Sequence, residues 1–459
     1  MKILVCIRQG LDGEIGPFDA AAYEAALRIR GAEVTLISMG AMPTRDFLLR
    51  LTRLGAKRAV LLSDKAFAGA DTVATAYALS LAVKKLEPDL VFCGRQTQIG
   101  DTAQTGPMLS VFSNMNLITN VMSIDEISES ITCMTREEGI KSVSLPAVIT
   151  VERINDLRLP SILSKQGDVE VWTAEDIGAD KEKCGLVGSP TRVMATFENE
   201  SGKRRCRFIE FRELDNIINE ALLKETQKIL SENKSEKRLP GVVIVGETPR
   251  KYAETVSDNI IVATDKTAEA LTERIIELNP SAVLFGSDSA SKELAAKTSA
   301  LMGLGLCADC TALETDGEEL IMYRPALSGS IVAKIRSLTK PAMATVRTNV
   351  QSNNVIVAAG FGAKDSLQKV KAFAERIGAE MVTSRKAVDY DVLPYSMQVG
   401  LTGKTVSPPV YIAVGVSGAV HHIVGMQQSG TVIAINPDKN APIFDYADFG
   451  IIGRAEELL

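Results

Sequence analysis

The chain has 459 residues, 46% of them hydrophobic and 24% charged, the balance of an ordinary globular protein with room for roughly two to four domains. Its net charge of −6, with one short basic cluster at Lys203-Arg204-Arg205, excludes sequence-independent nucleic-acid binding, which needs a concentrated basic surface. Seven scattered cysteines, an odd number, point to reduced thiols and a cytoplasmic setting rather than to a disulfide framework.

The first apolar run, Ile3 to Ile7, is too short for a secretion signal or a membrane span and reads as a buried strand. Strands are predicted at 2–6, 33–38, 59–62 and 90–93, with helices at 19–30 and 72–86 between them. Such alternation predicts βαβ units around a parallel sheet. The fourth strand runs into GRQTQIGDTAQTGP, which opens a helix. Its glycines, hydroxyls and amides suit phosphate, making Gly94, Gly100, Asp101, Thr102, Ala103, Gln104 and Thr105 candidate binding residues. Further on, RFIEFRELDNIINEALLKETQKIL is a strand-like run and an amphipathic helix, an extension of the kind that packs on another domain. SENKSEKRLPG then reads as a linker.

A second alternating block starts at 241–246, with a helix at 267–278 and a strand at 282–285. It resembles the first. EPDLVFCGRQ around Pro88 matches NPSAVLFGSD around Pro280, 192 residues later, and LPAVITVER around Pro146 matches KPAMATVRT around Pro341, 195 later. We read two copies of one α/β unit related by a pseudo-two-fold axis. The second copy's GSDSASKELAAKTSA keeps the first glycine of the phosphate-type loop and lacks the later ones, so only the first copy is expected to bind a nucleotide. Cys307-Ala-Asp-Cys310 has no second C-x-x-C and no nearby histidine; it reads as packing, and no metal site is expected.

The third block is again a doubly wound pattern. NNVIVAAG is a strand, 366–378 a helix with Val370, Phe373, Ala374 and Ile377 on one face, and EMVTS, PVYIAVG and GTVIAIN are further strands. These strands run into Gly360-Phe361-Gly362, Ser384-Arg385, Gly415-Val416-Ser417-Gly418 and Asn436. Ligands of open α/β sheets bind outside the carboxyl ends of the strands. Residues 391–409 have no helical period and place Gln398, Thr402 and Lys404 among glycines, as a cofactor-lining loop would. Both histidines of the chain, His421 and His422, fall in this block. In a helix, neighbours point about 100° apart, so the two do not face one ligand atom.

These residues carry a resemblance. SRKAVDYDVLPYSMQVGLTGK, YIAVGVSGAVHHIVGM and AINPDKNAPIFDYADFG are similar to the flavin domain of the electron-transfer flavoproteins. GPFDAAAYEAALRI, GRQTQIGDTAQTGP and LPAVITVERINDLRLPSI resemble that family's beta subunit, and LPGVVIVGE and LGLCADCTAL match its alpha subunit more loosely. The whole chain looks like a beta subunit fused ahead of an alpha subunit. The implied fold class is α/β: two related doubly wound units of the adenine-nucleotide alpha-hydrolase kind plus a C-terminal Rossmann-like FAD-binding domain. The implied parts are 1–200, an extension and linker at 201–239, 240–350 and 351–459. The implied work is electron transfer through FAD. The donor would be a flavin dehydrogenase of the acyl-CoA dehydrogenase kind, another flavin or iron–sulfur oxidoreductase, or NADH.

By matched position, the resemblance sets Ser384 and Arg385 beside the flavin, and Gln398, Val399, Gly400, Leu401 and Thr402 in a loop whose threonine lies near N5. Ser417, Gly418, Ala419, Val420, His421 and His422 match the phosphate and isoalloxazine segment, and Asn436 the adenosine end. Arg385, Thr402 and His422 are thereby the candidates for tuning the redox chemistry, through a guanidinium that favours anionic reduced forms, a hydroxyl at N5 and an imidazole at the pyrimidine. His421 stands where the family usually has glutamine and is expected to be a polar neighbour.

Two departures matter. The family usually has Gly-Arg-Gly where this chain has Phe361 between glycines, which implies weaker FAD binding or another cation at the pyrophosphate, with Arg454 a candidate. In the first copy, ordinary members carry AMP and bifurcating members a second FAD that takes hydride from NADH. GDTAQ before GP, and Phe18-Asp19, match the bifurcating pattern, whereas Ile99 and Thr105 do not. A second FAD, AMP and an empty site all stay open, as do a bifurcating NADH-oxidising protein and a redox-inactive nucleotide-binding homologue. Pro160, Ser161, Ile162 and Leu163 fall where the family presents a partner-docking loop.

Overall fold

The computed structural model describes residues 1–459 apart from 11, 98–99, 101, 137, 153–155, 199–202, 230–236, 327–330, 347–354, 391, 401–402 and 405, and apart from the side chains of 198, 223–229 and 325. The chain forms two compact units. The first holds Met1–Phe197, Lys234–Leu327 and Ile331–Thr348; the second holds Glu198–Asn233, Ser328–Ser330 and Asn349–Leu459.

The first unit begins with β1 (Lys2–Cys6), α1 (Pro17–Arg28), β2 (Glu33–Met39), α2 (Thr44–Thr52), β3 (Arg58–Leu62), α3 (Thr72–Leu86), β4 (Leu90–Gly94) and α4 (Thr105–Ser113). β5 (Asn116–Ile127), β6 (Ser130–Thr135), β7 (Gly139–Ser144), β8 (Ala147–Val151) and β9 (Asp168–Trp172) complete a nine-stranded sheet of order β7-β6-β5-β8-β4-β1-β2-β3-β9. Its central strands are apolar on both faces because helices cover both, as in parallel sheets generally. β10 (Thr191–Glu198) starts a separate four-stranded sheet, and β11 (Arg207–Phe208) and α5 (Leu214–Ile229) belong to the second unit.

The second copy comprises β12 (Val242–Val245), α6 (Arg250–Val256), β13 (Ile260–Ala263), α7 (Ala268–Leu278), β14 (Ala282–Phe285), α8 (Ser289–Met302) and β15 (Leu306–Cys310). β16 (Ala312–Thr315), β17 (Leu320–Ala326), β18 (Ile331–Ser337) and β19 (Ala342–Val346) follow. The order β13-β12-β14-β19-β15 repeats β2-β1-β4-β8-β5, with every pair parallel in both copies. The copies pack through equivalent helices: Val73, Ala76 and Met108 of α3 and α4 share one core with Leu271, Ile275 and Ala296 of α7 and α8. Polar ties flank that core, Thr119 Oγ1 donating to Glu293 at 2.8 Å and Asn120 Nδ2 to Ser289 Oγ at 2.9 Å. Cys307 and Cys310 lie buried in β15 as free thiols.

The second unit continues with β20 (Val355–Ala359), α9 (Leu367–Arg376), β21 (Glu380–Thr383), α10 (Arg385–Asp389) and β22 (Val410–Val414). It ends with α11 (Val420–Met426), β23 (Thr431–Asn436), β24 (Phe449–Ile452) and α12 (Ala455–Leu458). The sheet order is β11-β24-β23-β22-β20-β21, all parallel. The extension docks here. β11 pairs with β24, and α5 buries Leu214, Ile217, Ile218 and Ala221 with Val357, Val410 and Ile412. Burial of this kind is worth about 1.5–3 kcal/mol per large side chain. Arg204 fastens the junction by donating to the Gly430 and Ser429 carbonyls at 2.8 and 2.6 Å and pairing with Asp448, so the middle of the basic cluster serves the fold. Among the described residues, no helix is long and apolar enough to cross a membrane.

Candidate cofactor sites

In the second unit, β20 to β23 end together because their parallel registers align Ala359 with Thr383 and Val414, and Val414 with Ile435. Gly360, Ser384, Gly415 and Asn436 therefore share one edge. Gly415 has φ +64°, and a Cβ on Gly360 would collide with its carbonyl, so the two turns meet backbone to backbone. Ser384 precedes α10 and its amide donates to Ala359 O at 3.4 Å. Half-buried Arg385 pairs with Asp389 at 3.2 Å. Asn436 is buried and committed to the fold: Nδ2 donates to Val416 O at 2.9 Å, and Oδ1 accepts from Asp438 N at 2.9 Å.

Gln398 and Val399 are buried and extend the edge of β21, with the Val399 amide donating to Thr383 O at 2.9 Å. Gly425 presses against the Gly400 backbone, where any Cβ would collide, and so α11 lies directly on this loop. The contact turns His422 inward, while Val420 and His421 stay exposed. Burial lowers the His422 pKa to about 4, with the Val399 backbone offsetting part of the effect, so the ring is neutral near pH 7. Nε2 is 3.0 Å from the Tyr411 hydroxyl, and Nδ1 is buried beside the Val399 backbone with no hydrogen bond of good geometry among the described residues. Ser417 and Ala419 are exposed, and Gly418 has φ +90° where it abuts Ile443. α11 spans only seven residues, so its start is a glycine turn rather than a long helix dipole. Leu401 and Thr402 lie outside the described residues.

The first copy builds a second site at the end of β4. Gly94 sits so close to α1 that a Cβ would lie 2.7 Å from Asp19 N and 2.8 Å from the Phe18 carbonyl carbon. Buried Asp19 accepts from Arg8 N at 2.8 Å, and burial raises its pKa to about 7. Ala103, at φ +56°, turns the loop into α4. The residue before that helix is Gln104, 1% exposed, whose two side-chain amide atoms have no partner. Among the described residues no side chain caps α4, and Thr105 begins it. Thr102 Oγ1 is 3.4 Å from Thr72 Oγ1. Arg324 of β17 reaches across from the second copy, donating to Gly100 O at 3.0 Å. Asp101 lies outside the described residues. The second copy closes the equivalent turn itself: Asp288 caps α8 by accepting from Ser291 N at 2.9 Å.

Residues 3–177 and 253–376 match the electron transfer flavoprotein domain, and 349–427 match the electron transfer flavoprotein FAD-binding domain. The chain belongs to the electron transfer flavoprotein family. It is similar to Protein FixA of Azorhizobium caulinodans, 38% identical over 227 residues, covering 45% of this chain and 81% of that protein. The electron transfer flavoprotein subunit beta of Thermoanaerobacterium thermosaccharolyticum is 40% identical over 202 residues, 41% of this chain and 78% of the subunit. The subunit alpha of that organism is 33% identical over 248 residues, 43% of this chain and 75% of the subunit. A beta-like part and an alpha-like part thus stand in one electron transfer flavoprotein chain, beta first.

The residues present fit FAD in the second unit. The strand ends and the Gly400 loop share one edge, and among the described residues His422 Nδ1 is a buried polar atom without a well-formed hydrogen bond, which a ligand would satisfy. Ser384, Arg385, Gln398, Ser417 and His422 stand along one edge and the loop beside it. In the first copy, among the described residues, the Gln104 side-chain amide is the buried polar group without a partner. Sequence reasoning missed Arg8 and Arg324, which the structure places beside the first copy's loop. Arg8 was findable, two residues past the end of β1 and therefore at a strand's carboxyl edge.

Proposed function

We propose that this chain is an electron carrier that holds FAD in its C-terminal domain and an adenine nucleotide, AMP or a second FAD, in its first α/β copy. The observation that carries the reading is the carboxyl edge of the β20–β23 sheet, where Arg385, Gln398 and His422 gather inside a match to the family's FAD-binding domain. Bound FAD would supply the one- and two-electron chemistry. Arg385 would hold positive charge at the ring, and neutral His422 would offer a nitrogen without taking up a proton near pH 7. The Tyr411 hydroxyl fixes that imidazole from behind. His422→Ala should lower the one-electron potential, and His421→Gln, at an exposed position, should leave it nearly unchanged.

The donor would be a flavin dehydrogenase of the acyl-CoA dehydrogenase kind or another flavin or iron–sulfur oxidoreductase. Leu159, Ile162 and Leu163 support docking, being 88%, 97% and 88% exposed on one loop, an arrangement that favours an apolar contact with a partner. NADH would be a donor only with a second FAD. The test is anaerobic mixing of the FAD-supplemented protein with NADH and, separately, with a reduced acyl-CoA dehydrogenase. Bleaching by the dehydrogenase alone supports the simple carrier, and fast bleaching by NADH supports the bifurcating form. A protein that stays colourless after FAD supplementation would be a redox-inactive homologue.

A further inference from the structure

Phe361 stands at the end of β20, between two glycines that lie against the Gly415 turn. Its ring holds two ammonium groups, Lys364 Nζ at 5.1 Å and Lys386 Nζ at 4.7 Å from the centroid. Tyr390 closes another side, with ring centroids 4.8 Å apart. The lysines come from different elements. Lys364 lies in the turn after β20, and Lys386 in α10, after β21. Among the described residues neither ammonium has a carboxylate within 4 Å, whereas neighbouring Arg385 is paired with Asp389. Arg454 is paired as well, with Glu456 at 3.3 Å.

At 5.1 and 4.7 Å from one ring centroid, the two ammonium groups lie within about 10 Å of each other, so their repulsion is not fully screened. The ring face attracts each of them by about 0.5–1 kcal/mol at an exposed site. An anion beside them would relieve the repulsion. Both lysines follow the carboxyl ends of adjacent parallel strands, β20 and β21, the edge where ligands of such sheets bind, and FAD carries a doubly charged pyrophosphate. We infer that Lys386, together with Lys364, is the cationic clamp for the pyrophosphate of FAD in this chain, with Phe361 as the platform that positions both ammonium groups. The inference rests on the FAD reading above and assigns the missing charge to these lysines rather than to Arg454.

The test is titration of FAD, and separately of riboflavin, into the flavin-stripped full chain at several salt concentrations. The variants are Lys386→Ala, Lys364→Ala, the double variant, Lys386→Arg and Arg454→Ala. Lys386→Ala should weaken FAD about tenfold and the double variant more, with a shallower dependence of log Kd on log salt, as expected when a phosphate contact is lost. Riboflavin, which has no phosphate, should bind all variants alike, Lys386→Arg should restore FAD affinity, and Arg454→Ala should change little. Unchanged FAD affinity and salt slope in the double variant would overturn the inference while leaving the FAD reading intact. Equal losses for FAD and riboflavin would also overturn it, because the lysines would then be supporting the fold. If the parent protein bound no FAD, both readings would fall.

Discussion

The two α/β copies of the first unit share strand order, parallel pairing and the helices through which they pack, yet they differ at one turn. In the second copy Asp288 puts its own carboxylate on the start of α8. In the first copy, among the described residues, α4 has no side-chain cap, and the Gln104 amide beside it is buried without a partner. A helix start favours negative charge; the second copy supplies that charge itself, and the first copy is where a nucleotide is proposed. Topology is common to both, and the chemistry is decided by a few residues at one strand end.

The largest expected break in this comparison is steric. Gly94→Ala drives a Cβ into the backbone of Phe18 and Asp19 and should cost about 3 kcal/mol. Gly286→Ala meets first the Asp288 carboxylate at 2.9 Å, a side chain that is able to move, and should cost less than about 1 kcal/mol. Denaturant unfolding of the two variants compares them; equal losses would mean that the turns are packed alike.

Gln104→Met tests the orphan. It removes unpaired polar atoms at similar volume, so the nucleotide-free protein should gain about 1–2 kcal/mol. The stabilisation by added AMP or FAD should shrink in the same variant. Thermal melts with and without nucleotide read both effects, and an undiminished nucleotide shift would remove Gln104 from the site. Asp288→Ala should cost about 1 kcal/mol as a lost cap and leave nucleotide content unchanged.

A further effect is a slope with pH. Asp19 has a carboxyl raised from 3.8 to about 7, so between those values the folded state binds more protons than the unfolded state. Its contribution to stability therefore falls as pH rises through that window, and Asp19→Asn should flatten the fall. His422 has the opposite sign. Its pKa is lowered from 6.5 to about 4, so the second unit should gain stability as pH rises from about 4 to 6.5. A pH series of unfolding curves for Asp19→Asn and His422→Gln separates the two slopes.

Much of the fold was legible in local pattern. The predicted strands at 2–6, 59–62 and 90–93 agree with β1, β3 and β4 to within a residue, because buried parallel strands are short apolar runs. The helix expected at 366–378 is α9, Leu367–Arg376, preceded by a tight turn over Phe361–Ser366. The repeat at Pro88 and Pro280 was visible because equivalent strands bury equivalent residues. Contacts set by tertiary structure were not legible. Nothing in the local sequence ties Arg324 to Gly100, or brings Lys386 onto the ring of Phe361. The two histidines differ for the same reason: the glycine contact between α11 and the Gly400 loop decides which of them is inside.

The most direct test of the whole reading is the amount of FAD and of AMP released per chain from the full-length protein after saturation with FAD. The expected result is at least one FAD, with one further adenine nucleotide, AMP or FAD, that Gln104→Met diminishes and Asp288→Ala leaves in place. A chain that releases no flavin, or one whose second nucleotide is lost with Asp288 and kept without Gln104, would contradict it.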